Sequence, residues 1–68
     1  MSDVSKIIDV VGTSATSIED AIQTAITRAA RSVNQLRWFE VAEIRGFLED
    51  QRVGQYQVHL KIGFGLED

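Results

Sequence analysis

The chain has 68 residues, which is enough for a single domain at residues 1–68. A domain of this size buries about 60% of the surface that its unfolded chain exposes, so it is marginally stable alone. It has no cysteine and one histidine, which excludes disulfides, thiolate metal sites and a histidine cluster and makes oligomerisation the favoured source of further burial. The net charge of −3 argues against nucleic acid as a partner. The sequence shows no apolar run long enough to span a membrane and no signal-peptide pattern, which argues against a membrane and predicts a cytoplasmic protein.

The first predicted element is a strand at Val4–Val11, in which β-branched apolar residues predominate. The adjacent pairs Ile7-Ile8 and Val10-Val11 leave open which side chains face the core. Apolar groups on both faces suggest that this strand is buried on two sides. Residues 12–14, Gly-Thr-Ser, predict a break in the chain after the strand.

An amphipathic helix follows, and its pattern is the clearest in the chain. Ser17 with Asp20, or Thr16 with Glu19, supplies capping residues at its start, and Asn34 is the candidate for a left-handed stop. The apolar residues that recur at three- and four-residue spacing are Ile18, Ala21, Ile22, Ala25, Ile26, Ala29, Ala30 and Val33. This stripe predicts a helix that packs on a sheet, and its four alanines allow the sheet to approach closely.

Two long strands are predicted next, at 38–49 and 53–66, joined by a tight hairpin at residues 50–52 that lacks the usual glycine. The third strand alternates apolar and polar residues with a period of two from Tyr56 to Leu66. Short connections make the second strand parallel to the first, so the third fits between them. The prediction is an α+β fold, a single β-α-β-β unit with a three-stranded antiparallel sheet in the order 1-3-2, curled around one helix.

Uniform pairing from a two-residue hairpin loop assigns a face to each residue of the second strand. Phe39, Val41 and Phe47 are predicted to face the helix. The opposite face is predicted to carry Trp38, Ala42, Ile44, Leu48, Gln57, His59 and Lys61. Glu43 and Arg45 fall on the helix face in this pairing, which is unfavourable for charged groups, and an ion pair with a neighbouring chain is one interpretation of them. The apolar area on the opposite face predicts a partner chain or a ligand there.

Four short motifs stand in a characteristic order along nearly the whole chain. They are Val10-Val11-Gly12-Thr13-Ser14, Trp38-Phe39-Glu40-Val41, Arg45-Gly46 and Val58-His59-Leu60-Lys61-Ile62-Gly63-Phe64. In these motifs the chain resembles the dodecins. The resemblance implies a hollow homododecamer, a shell of identical subunits that binds flavin non-covalently. It also implies that the shell stores or buffers flavin and quenches its photochemistry, and that it is not an enzyme.

The resemblance further implies three cofactor-binding residues. Trp38 matches the tryptophan that stacks on the isoalloxazine ring, Gln57 the glutamine at its polar edge, and Arg45 the arginine near the ribityl-phosphate tail. FMN is the expected flavin. Riboflavin and FAD stay open as alternatives, because Gly65 stands where bacterial relatives often carry a second arginine, and this weakens the case for phosphate binding. The alternative function is a structural or coenzyme-A-binding shell with weak flavin affinity. No nucleophile-base pair, metal-ligand cluster or phosphate loop predicts catalysis.

Trp38 and Gln57 are far apart in the predicted pairing. Trp38 falls opposite Gly65, eight residues along the third strand from Gln57, or roughly 26 Å at the rise of a strand. One flavin cannot touch both on a flat sheet. The binding site is therefore expected to combine residues of more than one subunit, unless the sheet bends sharply.

Overall fold

The computed structural model of the protein describes residues 3–66, so the terminal residues of the predicted domain lie outside it. Its elements, in chain order, are β1 at Ser5–Ser14, α1 at Ile18–Ala29, β2 at Leu36–Glu49 and β3 at Arg52–Gly65. β3 pairs antiparallel with both other strands, which gives the order β1-β3-β2. The predicted α+β fold with the third strand in the centre is confirmed.

α1 packs across β1 and β3 and forms the core with them. The buried apolar residues are Ala21, Ala25, Val58, Leu60 and Ile62. Gly12 allows the close approach of α1, because a Cβ there would overlap the carbonyl oxygen of Ala21 and lie 2.9 Å from the Cβ of Ala25. Gly12 therefore continues β1, which ends at Ser14, and does not break the chain as predicted.

The start of α1 uses the first of the two predicted caps. The Ser17 hydroxyl oxygen accepts a hydrogen bond of 3.0 Å from the amide of Asp20. The buried hydroxyl of Ser14 donates to the Asp20 carboxylate at 2.7 Å and accepts from the amides of Thr16 at 2.9 Å and Ser17 at 3.3 Å. One network thus joins the end of β1 to the first turn of α1.

The other end of α1 differs from the prediction. The helix ends at Ala29, with Ala30 in a right-handed conformation as its C-cap. The left-handed residue of the connection is Gln35, with φ of 60°, so the prediction of Asn34 as the stop is wrong. The Gln35 carbonyl accepts a hydrogen bond of 3.0 Å from the Gly65 amide, which secures the entry into β2.

The β2–β3 hairpin closes on a tight loop, as predicted. Asp50 and Gln51 have φ values of 49° and 66°, and two successive positive φ angles are the requirement of a type I′ turn. The hairpin extends well beyond α1, and the molecule measures 54 Å along its longest axis. Within the described part of the chain, no helix is long and apolar enough to span a membrane.

Three irregularities in the β2–β3 pairing alter the faces that uniform alternation predicts. They lie between Leu36 and Trp38, between Val41 and Glu43, and between Phe47 and Leu48. After the second one, Ile44 pairs with the buried Val58 and so lies on the helix side, whereas Phe47 pairs with Gln55 on the other side. The predicted faces of Ile44 and Phe47 are therefore wrong, because an extra residue in one strand reverses the alternation beyond it.

β2 also lies beyond the helix and does not pack beneath it as predicted. Phe39 and Val41 pair with Ile62 and Leu60 on the helix side of the sheet, yet they are 48% and 38% exposed. Among the described residues of β2, Leu36 packs against the core. The prediction that Phe39 and Val41 hold the sheet to its own helix is wrong in a single chain, where β2 presents apolar side chains on both faces.

Candidate functional site

The sheet surface that points away from α1, called the outer face here, gathers polar side chains from all three strands. The residues that pair there across β3 are Asp9, Val11, Thr13, Glu40, Glu43, Arg45, Gln57, His59 and Lys61. Directly opposite residues of antiparallel strands point to the same side of the sheet, so the register alone brings them together. The predicted site residues Gln57 and Arg45 are both members of this group.

Arg45 and Gln57 stand directly opposite each other in the β2–β3 ladder. The Gln57 amide nitrogen donates to the Thr13 hydroxyl at 3.4 Å, and Arg45 Nη2 donates to Glu43 Oε1 at 2.7 Å. The charged pair is more than half exposed. The prediction that Arg45 and Glu43 face the helix is therefore wrong, because the irregularity after Val41 turns both of them to the outer face beside Gln57.

A shallow cavity of about 100 Å³ opens within this polar group. Its lining residues are Val11, Glu43, Arg45, Gln57 and His59. His59 Nε2 lies 2.8 Å from Asp9 Oδ1, so the imidazole is held by β1 at the edge of the cavity. Pockets that enclose a drug-sized ligand usually measure about 300–1,000 Å³. The cavity of a single chain is therefore too small to enclose such a ligand by itself.

Trp38 lies elsewhere on the outer face, with its indole directly on Gly63. The two residues are paired, and a Cβ on Gly63 would overlap the indole atoms Cε2 and Cζ2 and come within 2.5 Å of Nε1. The indole can lie against the strand because position 63 has no side chain, and Trp38 remains 43% exposed. Sequence reasoning missed Gly63, although a glycine inside a regular strand is a known sign of a close approach.

The observed register corrects the predicted position of Trp38 but keeps it apart from Gln57. Trp38 pairs with Gly63 and not with Gly65. Gly63 and Gln57 are six residues apart on β3, or roughly 20 Å at the rise of a strand. The structure therefore brings Arg45 and Gln57 together within one chain and leaves Trp38 at a distance from both.

Arg37 covers the next glycine of the outer face. A Cβ on Gly65 would lie 2.6 Å from Arg37 Nη2, 2.7 Å from Cζ and 2.8 Å from Nε. Arg37 Nη1 donates to the Asp3 carboxylate at 3.1 and 3.2 Å and to the Ser5 hydroxyl at 3.1 Å. The side chain thus crosses β3 from β2 to β1. Sequence reasoning missed this residue as well.

The outer face carries aromatic, amide and cationic side chains. It offers a flat aromatic ring at Trp38, an amide with donors and an acceptor at Gln57, and guanidinium groups at Arg37 and Arg45. In residues 3–66, no group of three or more histidine, aspartate or glutamate side chains is arranged to hold a metal ion. Every buried side-chain nitrogen or oxygen in the same range has a hydrogen-bond partner.

Comparison with known proteins places this architecture in a family. The family model described as Dodecin matches residues 4–67. A curated dodecin of Thermus thermophilus is 47% identical over 68 residues, covering 100% of this chain and 99% of the relative.

Solved structures agree with this assignment. Dodecin from Streptomyces davaonensis superposes with a TM-score of 0.94 at 38% identity, covering 100% of both chains. The crystal structure of an arginine-to-alanine mutant of T. thermophilus dodecin gives a TM-score of 0.94 at 46% identity and covers 98% of both chains. Sequence and structure agree along the whole described chain, and the protein therefore belongs to the dodecin family.

Proposed function

We propose that this protein is a non-catalytic flavin-binding protein that stores or buffers flavin and quenches its photochemistry within a homododecameric shell. The observation that carries the proposal is the indole of Trp38, laid flat over Gly63 and 43% exposed. An aromatic face held in this way suits a flat ring as its partner, and such stacking contributes about 0.5–1.5 kcal/mol beyond the burial of area. Membership of the dodecin family supports the same reading.

The outer face offers groups that fit the other parts of a flavin. The Gln57 amide has both donors and an acceptor, which complement the mixed polar edge of the pyrimidine ring. Arg45, opposite Gln57, is a cation suited to a phosphate tail. The electron-rich indole of Trp38 gives an excited flavin a route to lose its energy without emission, so a flavin bound there is dark. We therefore assign Trp38, Gln57 and Arg45 as the flavin-binding residues.

A site that uses all three residues requires more than one copy of the chain. Trp38 and Gln57 are roughly 20 Å apart along one sheet, and the cavity at Gln57 measures about 100 Å³. The 54 Å length of the molecule favours extended strands over the sharp bend considered as an alternative. The exposed apolar side chains of β2 also need a partner, and a closed symmetric assembly provides one.

A fluorescence titration of the assembled protein with FMN, riboflavin and FAD tests the proposal. We expect stoichiometric quenching by the wild type, loss of quenching with Trp38→Ala, and partial retention with Trp38→Phe, which keeps a stacking ring. Light scattering should give the same assembly for all three proteins. Flavin that stays bright at saturating protein would contradict the proposal and favour a structural or coenzyme-A-binding shell. Turnover of reduced flavin with a second substrate would indicate an enzyme.

A further inference from the structure

We propose that Arg37 selects flavins that carry a phosphate, because it holds a guanidinium beside the ring platform of Trp38. The inference rests on the proposed flavin site and adds the residue that separates FMN from riboflavin. Its basis is that two glycines of β3 are each covered by a side chain from β2. Trp38 lies over Gly63, and Arg37 lies over Gly65.

The spacing of the two glycines sets the distance between ring and cation. Gly63 and Gly65 are two residues apart on one strand and face the same side, so their covering groups are centred about 7 Å apart. The ribityl chain of FMN, which joins the ring to the phosphate through five carbons, spans such a step. A ring stacked on Trp38 can therefore bring its phosphate to Arg37 of the same subunit.

The guanidinium of Arg37 is fixed in place before any ligand arrives. Nη1 donates to Asp3 at 3.1 and 3.2 Å and to Ser5 at 3.1 Å, while Nε and Nη2 lie over Gly65. The side chain is 36% exposed, so it is held against the sheet but still reachable. A guanidinium whose orientation is already set loses little entropy on binding, and its planar donors match the oxygens of a phosphate.

Two other cations of the outer face are less suited to this task within one subunit. Arg45 pairs with Gln57, roughly 20 Å along β3 from Gly63, so it can reach a flavin on Trp38 only from another subunit. Lys61 is as near to Gly63 as Gly65 is, but it pairs with Asp9 on one side and Glu40 on the other. Both of its cross-strand neighbours are therefore acidic residues. Lys61 is therefore a matched control for Arg37.

The test is the ratio of the riboflavin and FMN dissociation constants, measured by fluorescence quenching on assembled protein at one ionic strength. We expect tighter binding of FMN by the wild type. Arg37→Gln should lower the ratio on the order of 5- to 10-fold, Arg37→Lys should restore part of it, and Lys61→Gln should leave it unchanged. Asp3→Asn keeps an oxygen that accepts a hydrogen bond from Arg37 but removes the competing negative charge, and should raise the ratio.

A purely structural role for Arg37 gives a different pattern. Arg37→Gln and Asp3→Asn would then weaken both flavins alike and leave the ratio constant, which would overturn the inference. An equal fall in the ratio with Lys61→Gln would overturn it too, because general surface charge would then explain the selectivity. Quenching of riboflavin by the wild type separates the two proposals. If the wild type quenches riboflavin but the ratio does not change in the Arg37 variants, this inference alone fails. If the wild type binds no flavin at all, the proposed function fails and this inference fails with it.

Discussion

Trp38 and Gly63 face each other across the β2–β3 ladder, and the indole lies where any side chain at position 63 would stand. The two residues therefore act together: the absence of a side chain at Gly63 leaves the space in which the Trp38 indole lies against the strand. The flatness of the indole against the sheet is a property of both residues, and it is lost if either one changes.

We expect Gly63→Ala to weaken flavin binding on the order of 10-fold, because the new methyl group forces the indole off the strand and spoils the stacking geometry. The measurement is the same quenching titration, with assembly checked by light scattering. The fold should survive, since position 63 points to the outer face. Gly46→Ala is the control, because a Cβ there meets its nearest atom, the Gln55 carbonyl oxygen, at an ordinary 3.5 Å. Equal affinities for the two variants would contradict the role of Gly63.

The elements and topology were predictable because their signals are local and repeated. The apolar stripe of α1 and the strict alternation of β3 each extend over many residues, so a single exception does not change the assignment. Short connections then limit the strand order. The family motifs directed attention to Trp38, Gln57 and Arg45, whose binding roles stay predictions.

The facing of β2 was not predictable, because a single extra residue alters it and leaves little trace in composition. The irregularity near Ala42 moves Arg45 to the outer face and Ile44 to the helix side. The positions of Trp38 and Arg37 over glycines depend on how side chains from one strand cross the next. Such contacts follow from the register and not from the period of the sequence.

We expect Ser14→Ala to destabilise the protein more than Ser17→Ala. Removal of the Ser17 cap costs about 1 kcal/mol, whereas removal of the Ser14 hydroxyl loses three hydrogen bonds, one of them to the Asp20 carboxylate, at about 2 kcal/mol. Denaturant midpoints at one fixed protein concentration measure the difference, because the proposed assembly would add to the apparent stability. Ser32→Ala, at an exposed position after α1, is the control. A larger loss at Ser17 than at Ser14 would contradict the network.

We expect Gln51→Gly to stabilise the hairpin. Gln51 has a φ of 66°, a conformation that disfavours residues with a Cβ, whereas glycine adopts it readily. Part of the gain is offset by the greater freedom of glycine in the unfolded chain, so the net increase in the free energy of unfolding should be about 0.5 kcal/mol. Gln55→Gly, inside β3, should have the opposite sign. Destabilisation by both variants would show that the turn tolerates glutamine without strain.

The last prediction concerns the proposed assembly and its link to the proposed flavin site. Ile44 is 52% exposed on the helix side of β2, beyond the reach of α1. A charge at an exposed position costs an isolated chain little, but it is expensive in an apolar interface. We therefore expect the Ile44→Glu variant to fold and to elute from gel filtration as a monomer or small oligomer, below the mass of the wild-type assembly. Thr24→Glu, a comparable change on the exposed surface of α1, should keep the wild-type mass by light scattering.

The same pair of variants tests whether the flavin site is shared between subunits. If Trp38 of one chain and Gln57 of another hold the same flavin, Ile44→Glu should lose most of the affinity although both residues are intact, and Thr24→Glu should lose none. Quenching titrations at equal subunit concentration decide this. A dissociated Ile44→Glu variant that binds flavin as tightly as the assembled protein would restrict the site to one chain. The roughly 20 Å between Gly63 and Gln57 would then have to be closed by a bend in the sheet.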